Sequence, residues 1–338
     1  MYDYLVYIGR FQPFHLGHQA VVRKALEQGK QLIILIGSAN VPRSIRNPFT
    51  FEERKEFILD ECSELETSRI TCLPLEDIVY NDTLWVKRVQ ESVAAIATPG
   101  SSVGLIGHNK DSSSYYLSLF PKWGNVNVDN VDGIDGTNIR GKYLLETNTY
   151  EHYVPFGIRT KMGLFKTTAE YALLAEEAGF IREYHKQWSS APYPPTFVTV
   201  DAVVIQAGHV LLIERKHMPG KGLWALPGGF IGQKETLIDA CVRELREETR
   251  LKLPELVIRG SLKTSKTYDD PNRSERGRTI TTAFRFDVKP DPRSGNVGLP
   301  KVKGSDDAKE AFWVPLSEVD PSKMYEDHYS ILMDMVNQ

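Results

Sequence analysis

The feature that most restricts how this chain can fold is a change of hydrophobic rhythm across residues 189–195, which read Ser-Ser-Ala-Pro-Tyr-Pro-Pro. Proline fixes φ and removes a backbone donor, so such a run passes through neither a helix interior nor a central strand. Upstream, strand-sized apolar runs at 4–8, 32–36, 70–75 and 103–106 alternate with amphipathic segments at 16–28, 51–61 and 86–96. That alternation predicts a parallel sheet with helices on both faces. Thr50 followed by Glu53 fits a capping box, so a helix is expected to start just after the loop 38–49. A further helical pattern runs from 167 to 188. Downstream, apolar runs at 197–205, 210–213, 280–288 and 312–314 carry only two helical patterns, near 235–249 and 322–335. This second half reads as α+β. A length of 338 residues allows two domains at a prior of about 150 residues each. We expect a domain at 1–160, a helical extension and Pro-rich linker at 161–195, and a second domain at 196–338.

Lys plus Arg number 41 against 44 Asp plus Glu, a formal charge of −3, so no strong field draws the chain to nucleic acid or an anionic membrane. The longest apolar runs are strand-sized, short of the roughly 18 residues of a membrane span, and Arg10 interrupts the apolar stretch nearest the start. Three cysteines, Cys62, Cys72 and Cys241, are odd in number and lack metal-ligand spacing, which points to a reduced, cytoplasmic protein. Composition leaves a homo-oligomer open.

Gly9-Arg-Phe-Gln-Pro-Phe-His15-Leu-Gly-His18 puts a strand end, a turn and two histidines at the start of a helix. A spacing of three places both imidazoles on one helical face. Free N–H groups at a helix N-terminus, a glycine that permits close approach, two imidazoles and an arginine can hold a triphosphate and stabilise a transferring phosphoryl group. As one short motif, it could also be two histidines satisfying local hydrogen bonds. In an open α/β sheet, ligands bind beyond the carboxyl ends of strands, where this motif is expected.

The motif resembles the His-x-Gly-His signature of nucleotidyltransferases that transfer the α-phosphoryl group of ATP and release pyrophosphate. Ile36-Gly-Ser-Ala-Asn40, Arg46-Asn-Pro-Phe-Thr50 with Glu52-Glu-Arg54, and Glu76-Asp77-Ile followed by Leu84-Trp85-Val86 are similar to archaeal-type nicotinamide mononucleotide (NMN) adenylyltransferases. The likeness covers roughly the first 150 residues. Gly136-Thr-Asn-Ile-Arg140 matches that family's second phosphate-binding motif, while the block Gly107-His-Asn-Lys-Asp-Ser-Ser-Ser-Tyr-Tyr116 departs from the shorter archaeal form. The resemblance implies catalytic roles for His15, His18 and Arg140. It implies nucleotide contacts at Gly9, Arg10, Gly17, Arg46, Gly136 and Thr137, and NMN contacts at Asp77 and Trp85. An indole face suits a cationic nicotinamide ring. Without the family match, a core-packing role for Trp85 has equal standing, and Asp77 and Arg46 could be ordinary loop and surface charges.

In the second half, Gly229 stands six residues before Glu235, and after seven more residues comes Arg243-Glu244-Leu-Arg-Glu247-Glu248. Spacings of three and four bring Glu244 beside Glu247 and Glu248 on one helical face, an oxygen-rich set for Mg²⁺ or Mn²⁺. The pattern is identified as a Nudix box, a signature of metal-dependent diphosphate hydrolysis. A charged, solvated helix face would explain the glutamates but not the glycine turn as well. The resemblance implies metal ligands at Glu244, Glu247 and Glu248, with Arg243 orienting them. The family has glycine where this chain has Arg250, at a position suited to a left-handed helix terminus. The segments 268–273 and 306–307 are candidate pocket residues, with polar surface loops as the plainer alternative.

Together these resemblances imply an α/β chain: a Rossmann-like nucleotidyltransferase with a parallel sheet, followed by an α+β Nudix domain. Bifunctional chains of this kind make NAD from NMN and ATP and hydrolyse ADP-ribose, so NMN, ATP and ADP-ribose are the expected small-molecule partners. Two alternatives stay open: a different nucleotidyltransferase joined to a Nudix hydrolase of other specificity, and a non-catalytic ADP-ribose-sensing Nudix domain regulating the first domain.

Overall fold

The computed structural model describes residues 1–65, 67–107, 119–129, 133–145, 148–290 and 298–337. Most of the departing block that begins at Gly107 lies outside the described residues. The chain divides into two compact units, Met1–Ala178 and Gly179–Gln338. The division falls inside a helix, upstream of the break at 189–195.

The first unit is built on five strands: β1 (Tyr2–Gly9), β2 (Gly29–Ile36), β3 (Ile70–Pro74), β4 (Val103–Gly107) and β5 (Gly124–Asn127). Their order is β3-β2-β1-β4-β5 and every pairing is parallel. Helices α1 (Leu16–Gln28), α2 (Phe51–Glu61), α3 (Asp82–Ala94), α4 (Gly136–Leu144) and α5 (Phe156–Phe165) connect and cover the sheet. The central strands are buried on both sides, which is why Leu32–Ile36 reads as an unbroken apolar run. Because β2 and β4 flank β1, the connections on its two sides run in opposite directions. The loop after Gly9 therefore opens at the topological switch point, the ligand crevice of such sheets.

The capping box at α2 forms as expected: Glu53 N–H donates to Thr50 Oγ1 at 3.3 Å, and Thr50 N–H to Glu53 Oε2 at 2.7 Å. Helix α6 (Ala169–Gln187) ends the first unit and begins the second.

The second unit holds a seven-stranded mixed sheet: β6 (Phe197–Gln206), β7 (His209–Arg215), β8 (Trp224–Ala225), β9 (Gly228–Phe230), β10 (Leu262–Tyr268), β11 (Thr279–Asp287) and β12 (Ala308–Pro315). Only β6 and β11 pair in parallel. Helix α7 (Leu237–Thr249) lays Ala240, Cys241 and Leu245 on Val200, Ala202, Val204 and Phe286 of the sheet. Short α8 (Glu255–Gly260) and terminal α9 (His328–Val336) complete the unit. The pattern at 322–335 becomes a helix only from His328, since a 3₁₀ turn occupies Pro321–Lys323. Among the described residues no helix is long and apolar enough to cross a membrane.

Candidate active sites

In the first unit the loop after β1 is shaped by aromatic packing. Phe11 adopts φ +52°, a conformation that costs a non-glycine residue energy and persists only when its surroundings enforce it. Its ring is buried at 5.1 Å from the Tyr7 ring and 4.9 Å from the His18 ring. A Cβ on Gly9 would fall 2.9 Å from Phe11 Cζ. The space that Gly9 leaves is thus filled by the Phe11 ring. Gly17 has a similar role, since a Cβ there would lie 3.1 Å from His15 Cε1.

His15 occupies the N-cap of α1, and its ring stacks on that of His18 with centroids 3.6 Å apart. The His15 backbone N–H donates to His18 Nδ1 at 3.2 Å. With Nδ1 accepting, the neutral His18 ring carries its proton on Nε2.

Two buried side chains hold this loop to its neighbours. Gln12 donates from Nε2 to the Phe49 carbonyl at 2.7 Å and accepts the Phe49 N–H at 3.0 Å. Arg54, 1% exposed, donates to the carbonyls of Thr50, Arg10, Gly37 and Ser38 at 2.6–3.1 Å. Burial pulls its guanidinium down to about 10, leaving it charged. Both residues lie in the quoted motifs, yet spacing alone gave them no role.

Arg140, buried in the first turns of α4, donates to the Gln12 carbonyl at 2.8 Å and to Thr137 Oγ1 at 3.1 Å. It thereby joins the start of α4 to the loop after β1. Gly136 permits this approach, because its Cβ would lie 3.3 Å from Arg140 Nη1. Arg10 is exposed and Arg46 half-buried on the loop before α2. Asp77 has both carboxylate oxygens on Ser38, accepting from its N–H at 3.1 Å and its hydroxyl at 2.6 Å. Trp85 is half-buried near the start of α3, and its ring meets Phe120 edge-on at 6.4 Å. Its position accommodates both packing and an exposed ring surface.

In the second unit, Arg243 is the hub of the glutamate helix. Its guanidinium reaches Glu235 at 3.0 and 2.8 Å, Glu244 at 2.8 Å, Glu247 at 2.9 Å and the Phe230 carbonyl at 3.3 Å. Glu248, 4% exposed, accepts the Gly228 N–H at 2.9 Å. Burial, reinforced by the Glu244 charge, pushes Glu248 up to about 8. Burial also raises Glu244. The expected ligands share one side of α7, but among the described residues no three acidic, His or Cys side chains converge as a ready coordination shell. Each carboxylate has instead taken its nearest donor, Arg243 or the Gly228 amide.

The donor chemistry fits a hard divalent cation: three carboxylates, two of them with raised proton affinity through burial. Gly229 is the cradle that admits them, since a Cβ there would lie 2.7 Å from the Glu244 carboxyl carbon.

A cavity of about 240 Å³ opens beside these glutamates and is also lined by Asp306, Asp307, Arg215, Arg273 and Arg276. The candidate pocket residues therefore divide, and the 268–273 segment itself splits. Asp306, Asp307 and Arg273 reach the cavity, whereas Tyr268 is a core residue whose hydroxyl donates to Asp334 at 2.6 Å. A wider depression of about 790 Å³ includes Arg246, Arg250 and Glu255, but an Arg246–Glu255 ion pair spans its rim at 3.0 Å and its lining lacks Glu244 and Glu248. Sequence reasoning missed Arg215, Arg276, Tyr325 and His328, which come from separate elements and form no motif. Arg250 adopts φ +45° at the C-cap of α7, the left-handed terminus expected there.

A family model described as NUDIX domain matches residues 195–335, and one described as Cytidylyltransferase-like matches residues 6–82. A nicotinamide/nicotinic acid mononucleotide adenylyltransferase of Acinetobacter baylyi is 42% identical over 177 residues, covering 52% of this chain and 93% of that protein. An ADP-ribose pyrophosphatase of Methanocaldococcus jannaschii is 38% identical over 137 residues, covering 40% of this chain and 71% of that protein. Two crystal structures of a bifunctional NMN adenylyltransferase/ADP ribose pyrophosphatase from Francisella tularensis are each 36% identical, with TM-scores of 0.94 and 0.93. Each covers 100% of this chain and 99% of that chain, and the second is complexed with AMP and a Mn ion. With both halves of the sequence matched in one continuous architecture, the chain belongs to the family of bifunctional NMN adenylyltransferase/ADP-ribose pyrophosphatases.

Proposed function

We propose that the first unit transfers the adenylyl group of ATP to NMN, giving NAD and pyrophosphate, and that the second hydrolyses ADP-ribose to AMP and ribose 5-phosphate. The stacked His15–His18 pair, joined through the switch-point loop to Arg140, carries the first reading. In that reaction an NMN phosphate oxygen attacks the α-phosphorus of ATP, the bond to the β-phosphate oxygen breaks, and pyrophosphate leaves with its electron pair. No protein nucleophile is required. His18 Nε2–H and Arg140, together with Arg10 and Arg46, stabilise the charge that develops on the phosphate oxygens. Gln12 and Arg54 act as positioning residues that fix this loop before substrate arrives. Asp77 and Trp85 serve the nicotinamide end, with Asp77 holding the Ser38 loop beside it.

In the second unit Glu244, Glu247 and Glu248 would hold a divalent cation, Mg²⁺ with Mn²⁺ as the alternative, which would screen the diphosphate and make a water more acidic. Arg243 orients Glu244 and Glu247, and the Gly228 amide orients Glu248. Water adds at one phosphorus of the diphosphate, the bridging P–O bond breaks, and AMP and ribose 5-phosphate separate. The buried, unbridged cysteines and the near-neutral charge support small-molecule chemistry in the cytoplasm.

The reading is tested on the full chain with two assays. His18→Ala should abolish NAD formation and spare AMP release from ADP-ribose, while Glu248→Gln should do the reverse. Loss of both activities in either properly folded variant would refute two independent sites.

A further inference from the structure

The cavity beside the glutamates contains polar groups that the hydrolytic step above does not use. Tyr325 is buried with its ring held from two sides. The Arg215 guanidinium carbon lies 4.2 Å from the ring centroid, and Gly220, at φ +72°, leaves the space that any Cβ would take from the ring. Its hydroxyl is buried; the adjacent Glu326 carboxyl is near enough to perturb it, yet no hydrogen bond of sound geometry forms among the described residues.

Arg276 also lines this cavity, its guanidinium carbon 5.0 Å from the Phe230 ring centroid. Its Nε–H is buried and finds no acceptor among the described residues. A buried donor left without a partner is costly, so two in one cavity are unusual in a folded protein.

The neighbouring groups are already engaged. The Arg273 fork is spent on Asp327 at 3.0 and 2.9 Å. His328 Nδ1 accepts the Leu226 N–H at 3.0 Å, and burial holds its ring neutral by pulling it down to about 3. Arg215 is close enough for both Glu248 and Tyr325 to feel its charge, which puts the phenol within one guanidinium of the carboxylates.

The size of the cavity decides what enters. At about 240 Å³ it falls below the roughly 300–1,000 Å³ of sites that enclose drug-sized ligands, so it takes one end of a dinucleotide-like substrate. An adenine ring would call for an open aromatic or apolar slot, and Arg276 stands over Phe230. The groups left on offer, a hydroxyl and a guanidinium N–H, are natural partners of a pentose.

We propose that Tyr325 and Arg276 form the subsite for the terminal ribose of the hydrolase substrate and set the preference for ADP-ribose over NAD. The assignment rests on the hydrolase reading above. Tyr325 Oη accepts from the free anomeric hydroxyl, and Arg276 Nε–H donates to the oxygen of the same hydroxyl. NAD carries a nicotinamide ring in place of that hydroxyl, so it would bring bulk into a fixed wall and leave both protein groups unpaired. A site built to hydrogen-bond a substrate hydroxyl discriminates against its absence more strongly than a size difference does.

The test measures kcat and KM for ADP-ribose (AMP release) and for NAD (NMN release) at one Mg²⁺ concentration, in the full chain and its Tyr325→Phe and Arg276→Lys variants. Phenylalanine keeps the ring on Arg215, and lysine keeps the charge. Each variant should lower kcat/KM for ADP-ribose about tenfold, the worth of one substrate hydrogen bond. The loss should appear mainly in KM, leaving NAD cleavage and the Mg²⁺ activation curve unchanged. An equal fall for both substrates, or an unchanged ADP-ribose/NAD ratio, would overturn the subsite. A wild-type chain that releases no AMP from ADP-ribose would instead overturn the hydrolase reading beneath it.

Discussion

Lowering the pH from about 8 to about 6.5 perturbs one carboxylate of the second unit more than any surface acid. Burial of Glu248 outweighs its bond from the Gly228 N–H, and its carboxyl is pushed up to about 8. A divalent cation needs the ionised form, so metal and proton compete. With a midpoint of about 8, the ionised fraction is about 50% at pH 8 and about 3% at pH 6.5, so metal affinity should fall about 16-fold through this group alone. Glu244, raised by burial, steepens the fall. Calorimetric titration of Mn²⁺ into the nucleotide-free chain between about pH 6.5 and 8.5 measures it, and Glu248→Gln should bind more weakly at pH 8 with a flatter profile. The sign for stability follows from the same shift. Glu248 holds its proton more tightly when folded, so in metal-free protein its contribution is full below the ordinary value of 4.5 and is lost as pH rises through about 8. Added metal should restore stability at the upper end. A wild-type affinity that stays flat across this range would refute the reasoning.

Two further outcomes bear on single residues. Trp85→Ala should raise KM for NMN several-fold to tens-fold while leaving KM for ATP near its wild-type value, since a cation on an aromatic face is worth about 0.5–2 kcal/mol; an equal change in both would return Trp85 to packing against Phe120. Arg250→Gly should stabilise the second unit by about 0.5 kcal/mol: relief of the left-handed conformation, about 1–2 kcal/mol, is offset by the greater unfolded freedom of glycine and a weakened helix-end charge interaction. Its melting transition should rise by about 1–2 °C, and a fall would show that the Arg250 side chain matters more than its backbone.

The sequence by itself determined whatever depends on residues close together in the chain. The capping box Thr50–Glu53 is a contact across three residues, and the burial of Leu32–Ile36 on both sheet faces is written as an unbroken apolar run. The spacing of Glu244, Glu247 and Glu248 follows from the helical repeat, and the left-handed turn at Arg250 from where α7 must stop. In each case the period or the turn settles the geometry before any other segment arrives. The polar strand β10 escaped notice, because its residues pair with β11 across the sheet edge and carry little apolar alternation of their own. The same limit applied to the interior of both sites. Arg140 finds the Gln12 carbonyl 128 positions away, and Leu226 meets His328 across 102. Gly9 read as a close-approach glycine and Gly229 as a turn glycine in sequence, and the structure uses the missing Cβ of one for Phe11 and of the other for the Glu244 carboxylate. Tyr268 looked like a pocket residue from its polar neighbours and instead closes the core against Asp334, while Arg276 and Tyr325, which no motif contains, form the cavity wall. Only tertiary folding made these assignments, because long-range packing and burial decide which polar group is solvated, which is paired, and which is left facing a substrate.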